Sequence, residues 1–378
     1  MRRVTAKLTV DQLLRVRMRS QRLSEPRPGS VPEVVRVVGA LQAQSTRAAR
    51  LAVRPRGTDL DGAAVDRACN LDRSVVRTWV MRGTLHMVPA ADVGWMLALY
   101  KPPADALSAR ERELGLDVAL LARARSAIPE ILSAGQPLSR ADLIRALAGH
   151  GVRVGPDGQA PAHLVAHAAL QGLICRGPDR TDDEPTYVLL SEWVGDRARP
   201  TPCDPMAELA RRYLTGHGPA TPEDFAYWSG LNVRASRRAF ELIADELTEI
   251  DVAGRSAWLR LPPGEDTRLA EFLETEGGPT VRLLGQFDAY LLGYRDRGVA
   301  LQSDFARRIQ ADGGMLNPAV MVDGRIVGTW SQRHRARGIT VLVELFEDVG
   351  VAVLAGLESE VADLGRFLDV TTFLDLAS

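Results

Sequence analysis

MAELARRYLTGHG (206–218), TPEDFAYWSGL (221–231), NVRASRRAFELIADEL (232–247) and TEIDVAGRSAWLRL (248–261) follow one another without a long break. The first reads as a helix and the second as a short helix opened by Thr221, with Pro222 at its first position. The third reads as another helix and the fourth as a hairpin turning at Ala253-Gly254. Three helices and a hairpin in this order make a winged-helix unit. In such a unit the last helix usually faces DNA, and Arg234, Arg237 and Arg238 line its start, where guanidiniums meet phosphates or guanine edges. Winged helices also serve as protein–protein modules, so the unit alone does not fix a function.

The same order recurs upstream. Residues 9–23 (TVDQLLRVRMRSQRL) read as a helix opened by Thr9 and Asp11, with Leu13, Leu14 and Val16 inward and Arg15, Arg19 and Arg22 in solvent. LDGAAVDRACNLDRSVV (60–76) gives a further helix, and RTWVMRGTLHMVP (77–89) gives two short strands about Arg82-Gly83. A helical insertion broken at Pro102-Pro103 spans about 91–133. LSRADLIRALAGHG (138–151), APAHLVAHAALQGLICRG (160–177) and PTYVLL (185–190) then repeat helix, helix and wing across the polar loop 179–184. The chain therefore reads as α+β, with winged-helix units at 1–133, 134–204 and 205–280 and a C-terminal β-rich domain at 281–378. His163 and His167 have a spacing that zinc accepts, but no third ligand with fitting spacing accompanies them, and surface or capping histidines read the same way.

From Val281 the character changes. RLLGQFDAYLLGYRDRGVAL (282–301) leads into NPAVMVDGRIVGTWSQRHRARGITVLVELF (317–346), antiparallel strands with a tight turn at Asp323-Gly324. Arg325, Arg333, His334, Arg335 and Arg337 crowd this hairpin and its loop. Between 282 and 340 nine arginines face five aspartates (288, 296, 304, 312 and 323), so the region is locally positive. Such a hairpin suits a minor groove, and it equally suits a solvated sheet edge protected by charge.

GALQAQS (39–45) closes an apolar-periodic run that begins near Val31. If the chain leaves helical geometry there, Gln42 and Gln44 lie on one side and offer two carboxamides to one bound group. Cap or turn duty is the other reading of the same spacing.

Composition removes whole classes of answer. The 378 residues are 46% hydrophobic and 25% charged with a net charge of −1, which is the profile of an ordinary soluble protein of several small domains. No stretch has the apolar length of a membrane span, and the start MRRVTAKLTVDQLL lacks a signal-peptide core, so a cytoplasmic, nucleoid-associated protein is expected. Cys69, Cys175 and Cys203 form no Cys-x-x-Cys pair, so neither a disulfide framework nor a thiolate metal site is indicated, and no cofactor is expected. Of 47 basic residues only Lys7 and Lys101 are lysines, a bias that a GC-rich genome produces. Schiff-base and phosphate-loop lysines accordingly have almost nowhere to sit.

LQAQ after an apolar helix, the run RTWVMRGTLHMVP, and FDAYLLGYRDR followed by VDGRIVGTW together resemble the tandem winged-helix family that contains the AlkZ and YcaQ DNA glycosylases. The resemblance spans essentially the whole chain. It is nearer the AlkZ type, which carries Gln-x-Gln where the YcaQ type carries Gln-x-Asp, and which excises N7-alkylated guanines including crosslinks. It implies three winged helices forming a concave DNA channel, catalytic roles for Gln42 and Gln44, and a hairpin around 322–330 that touches DNA near the lesion. Arg82 and His86 of the RGTLH wing would help hold the duplex. The expected partner is double-stranded DNA containing alkylated purines, handled by a monomer.

A carboxamide is no general base at neutral pH, but an N7-alkylguanine is already cationic and leaves as a neutral base. Two oriented amides that place a water and stabilise an oxocarbenium-like sugar then suffice. With so few lysines, a monofunctional enzyme without lyase activity is expected. The alternative is a non-catalytic winged-helix regulator or damage sensor, against which stands the lack of any heptad run for dimerisation. A protein that sequesters a DNA-reactive small molecule is a third reading.

Overall fold

A computed structural model describes residues 6–24, 29–133, 135–155, 158–181, 184–261, 278–311 and 314–377. The end of the third expected unit (262–277), residues 182–183 of the polar loop and Asp312 lie outside the described residues. The chain forms two compact units, residues 1–65 with 206–378, and residues 66–205.

In the larger unit the stretch 206–261 folds into helices Pro205–His217, Pro222–Ser229 and Val233–Leu242 and strands Thr248–Val252 and Arg255–Leu259. The local chemistry is explicit. Thr221 and Asp224 cap each other's backbone amides at 3.1 Å, Gly230 ends the short helix in the left-handed region, and Asn232 Oδ1 accepts the Ala235 amide at 2.9 Å to open the next one. Tyr213, Phe225 and Trp228 join the first two of these helices, their ring centroids 5.1 to 6.2 Å from one another. Helix Val10–Ser20 carries the expected Thr9 cap and buries Leu13, Leu14 and Val16. A strand absent from the sequence reading, Ala6–Leu8, pairs in parallel with Thr248–Val252, placing Ala6 opposite Ile250.

The C-terminal sheet runs in the order Val281–Leu284, Ala319–Val322, Arg325–Arg335, Gly338–Leu345, Thr372–Leu376. Its first four strands are antiparallel and the last is parallel. Asp323 and Gly324 both take positive φ (47° and 83°), as a two-residue hairpin turn requires. An 18-residue helix, Val351–Leu368, also stands in this β-rich region.

In the smaller unit, the strand pair Val75–Trp79/Leu85–Pro89 and the pair Ile174–Arg176/Thr186–Leu189 belong to one sheet, joined where Arg77 opposes Arg176. The expected wings of the first two repeats are thus laid edge to edge. Arg77 secures the seam, donating to Asp179 at 2.6 Å and to the Gly177 carbonyl at 2.5 Å. Helices Val118–Leu132, Arg140–Gly149 and Ala160–Leu170 enclose an apolar core around Leu121, Ile128, Leu143, Leu147 and Ala169. Among the described residues no helix is long and apolar enough to cross a membrane.

Candidate active site and nucleic-acid interface

The glutamine box sits between two helices. Helix Val31–Val37 ends at Val38, Gly39 turns the chain with φ 81°, and Leu41–Gln42 is extended. Ser45 then accepts the Ala48 amide at 3.2 Å and opens helix Thr46–Val53, which the sequence reading did not anticipate. Over the box the burial alternates, with Leu41 and Ala43 buried, Gln42 half-buried and Gln44 exposed. The period of two puts both amides on one side, away from the core. Gln42 Nε2 donates to Gln44 Oε1 at 2.7 Å, so the two carboxamides orient each other.

Buried ion pairs anchor the helix that follows. Arg54 donates to Glu360 and Asp363, both at 2.6 Å, and to the Leu283 carbonyl at 2.9 Å. Burial opposes its charge, yet the two carboxylates outweigh it and hold its pKa above the ordinary value. Arg56 forks onto Asp288 at 2.7 and 2.9 Å and donates to Gln21 Oε1 at 2.8 Å and the Ala52 carbonyl at 2.6 Å. Arg54 and Arg56 are 1% and 0% exposed. The run FDAYLLGYRDR supplies matching pieces: Asp288 for Arg56, Tyr290 Oη donating to the Gly324 carbonyl at 2.8 Å, and Tyr294 Oη donating to the His217 carbonyl at 2.9 Å.

The long hairpin brings its tip to the box helix. Arg47 donates to Gln332 Oε1 and, at 3.2 Å, to His334 Nε2. An open groove of about 690 Å³ lies there, lined by Ser45, Arg47, Gln286, Arg308, Trp330 and Gln332 among others. Arg333, His334, Arg335 and Arg337 are exposed at the tip. Arg325 is not with them. It stands ten residues away at the other end of the strand, about 33 Å along an extended chain, and pairs with Asp11 at 2.7 Å. The sequence grouped these five side chains, and the fold divides them four to one.

Arg234 and Arg237 are exposed on helix Val233–Leu242, Arg237 paired with Glu223 at 2.7 Å. In the smaller unit, Arg82 occupies the left-handed region (φ 55°) of the turn and is half-buried. The assignment of His86 to DNA contact needs correction, because the ring is 1% exposed. Its Nδ1 is 2.9 Å from the Thr84 carbonyl, which only accepts, so Nδ1 carries the proton and Nε2 faces Arg82 Nη2 at 3.5 Å. Burial and the Arg82 charge press its pKa down to about 3, and a neutral ring oriented toward Arg82 results. His167 lies 3.1 Å from Glu111, and among the described residues no group of three His, Cys, Asp or Glu side chains is arranged to hold a metal ion.

Sequence reasoning missed Gln21, Arg47, Arg54, Arg56, His217, Gln332 and Glu360. The one local signal was Arg54-Pro55-Arg56 interrupting an otherwise apolar run, two charges where solvent exposure was the default reading.

This mixed α+β chain aligns with the solved DNA glycosylase AlkZ of Streptomyces sahachiroi at a TM-score of 0.80, with 28% identity, over 98% of this chain and 100% of that one. An interstrand DNA cross-link repair glycosylase of the same organism is 29% identical over 364 residues, covering 94% of this chain and 95% of that protein. The class is therefore DNA glycosylase, an enzyme that acts on DNA, which sets the regulator and sequestration readings aside. More narrowly, residues 35–367 match the family described as DNA glycosylase AlkZ-like, and the chain belongs to that family.

Proposed function

We propose that this enzyme is a monofunctional glycosylase that releases cationic N7-alkylguanines from duplex DNA, interstrand crosslinks included, with Gln42 and Gln44 as its catalytic pair. The observation that carries this reading is the mutual hydrogen bond of the two amides on the outward side of an extended segment, beside a bare arginine tip. Because Gln42 donates to Gln44 Oε1, that oxygen keeps a second lone pair for a water. Neither amide takes a proton at neutral pH, so the pair has no means of activating a poor leaving group. A base already carrying positive charge needs none. The bond from C1′ to N9 breaks with its electron pair going to the base, which leaves neutral, while the held water adds to C1′ and loses its proton to solvent.

In this reading residues 1–133, 134–204 and 205–280 are three winged-helix units forming a concave channel, and 281–378 is a β-rich domain whose basic tip enters a groove of the duplex. Arg82, Arg234, Arg237, Arg333, His334, Arg335 and Arg337 hold phosphates or groove edges, and His86 steadies Arg82. The protein works as a monomer on chromosomal DNA in the cytoplasm. The name of the S. sahachiroi relative supports crosslinks among the substrates.

The test is single-turnover release from duplexes carrying one N7-methylguanine, one bulky N7 adduct or one crosslink, with alkali applied afterwards to reveal abasic sites. Gln42→Ala and Gln44→Ala are each expected to lose about a hundredfold to a thousandfold in rate, the range for removing one preorganised polar group, while keeping duplex affinity. Wild-type rates in both variants, or strand cleavage without alkali, would refute the reading.

A further inference from the structure

Beneath the glutamine box runs a chain of five buried groups whose every hydrogen bond has one permitted direction. Asp288 and Arg56 begin it. A guanidinium only donates, so the Gln21 atom 2.8 Å from Arg56 Nη2 is the amide oxygen. The Gln21 amide nitrogen then faces His217 Nδ1 at 3.0 Å and only donates. Nδ1 accepts, the ring proton sits on Nε2, and Nε2–H donates to the Val38 carbonyl at 3.1 Å. Rotating the amide would turn its NH2 toward Arg56, so no member can reverse alone.

Val38 ends the helix before the box, and only Gly39, Ala40 and Leu41 separate it from Gln42. The segment is hemmed in elsewhere. A Cβ on Gly216 would lie 2.1 Å from the Val37 carbonyl oxygen, and one on Gly39 would lie 2.9 Å from the Trp228 ring. His217 itself is clasped by Tyr213 (centroids 5.0 Å), Trp228 (5.6 Å) and Tyr294 (6.0 Å, edge-on).

Resting on the glutamine reading above, we infer that His217 is a positioning residue for base excision: the relay Asp288–Arg56–Gln21–His217 fixes its tautomer, and its Nε2–H sets the approach of the box through the Val38 carbonyl. The titratable and charged groups around the ring are Arg17, Arg56, Asp288, Tyr213 and Tyr294. Burial and the two arginines keep the ring neutral, with a pKa near 3, so the relay keeps one protonation pattern across the neutral range.

Two substitutions separate the donor from the bulk of the side chain. An asparagine amide reaches about where Nδ1 stands, whereas a glutamine amide reaches about where Nε2 stands. His217→Asn should therefore lower single-turnover excision about tenfold to a hundredfold, the scale of a small displacement at a reacting centre, with duplex Kd unchanged. His217→Gln should recover most of the rate. In a Gln42→Ala background His217→Asn should cost less than about twofold, because residues acting through one another are not additive. Gln21→Met, which removes the middle of the relay at similar volume, should follow His217→Asn, and it serves if that variant does not fold.

The inference is overturned if His217→Asn and Gln21→Met excise at the wild-type rate, if Asn and Gln at 217 lose equally, if the loss persists undiminished beside Gln42→Ala, or if it tracks a loss of duplex binding. Wild-type rates for both Gln42→Ala and Gln44→Ala would sink the glutamine reading and the relay with it. A crippled Gln42→Ala beside active His217→Asn and Gln21→Met would sink the relay alone.

Discussion

Arg54 and Arg56 beneath the box, and Arg333, Arg335 and Arg337 at the hairpin tip, are the same residue type in the same unit, yet they differ in almost every physical respect. The first two are buried, each on carboxylates at 2.6 to 2.9 Å. The other three are exposed. Buried guanidiniums commit their donors to fixed partners and hold a shape. Exposed ones keep theirs for a ligand, and their long-range field is what salt screens. Sequence-local charge density does not tell the two apart. What tells them apart is whether a carboxylate from a distant segment folds back onto them.

The largest expected effect would come from breaking the buried member. Arg56→Met leaves Asp288 uncompensated and should cost about 3–5 kcal/mol in denaturant unfolding, the usual penalty for removing half a buried ion pair. A loss under about 1 kcal/mol, the value of a surface pair, would erase the contrast.

Acid should come next. His217 has a folded pKa of about 3 against 6.5 in the open chain, so its contribution to stability is whole above pH 6.5 and declines as pH falls from there toward 3. Between pH 6.5 and 5 that amounts to roughly 2 kcal/mol. Equilibrium unfolding of His217→Gln should show a pH slope shallower by about one proton over that interval, and identical slopes would contradict a buried neutral ring.

Salt probes the exposed member, with the smallest effect on stability. Replacing Arg333, Arg335 and Arg337 together by alanine should flatten the plot of log Kd against log salt by about 2–3 and leave unfolding within about 0.5 kcal/mol. Arg325→Ala, at the far end of the same strand, frees Asp11 of helix Val10–Ser20 and should leave the salt slope alone and cost about 0.2–1 kcal/mol. An equal slope change from Arg325→Ala would mean that both ends of the hairpin reach the duplex.

What was legible in the sequence was local. Thr221-Pro222, Asn232 and Ala253-Gly254 mark their boundaries by cap and turn chemistry that depends on neighbours three or four residues away, and the elements fall where those residues put them. The box was legible only as a condition: the spacing allowed one shared side for the two glutamines if the chain was extended there, and the alternation of buried Leu41 and Ala43 with the glutamines supplies that condition. What was not legible depends on remote partners. Gln21 and His217 are 196 residues apart and Arg54 and Glu360 are 306 apart, so nothing near either end announces the pair. The burial of His86 was hidden for the same reason, because LHMVP reads identically whether one or both faces of the strand are covered.

The 306 residues between Arg54 and Glu360 also set a schedule. A ribosome adding about 5–20 residues per second emits the glutamine segment some 15–60 s before the acid that seats it. Asp288 comes 232 residues behind Arg56 and Glu360 306 behind Arg54, so until each acid appears its arginine has no counter-charge and a nascent chain must keep it wet. The support beneath the glutamines therefore closes only once Glu360 has been made, long after the box itself, and until then the box is unseated.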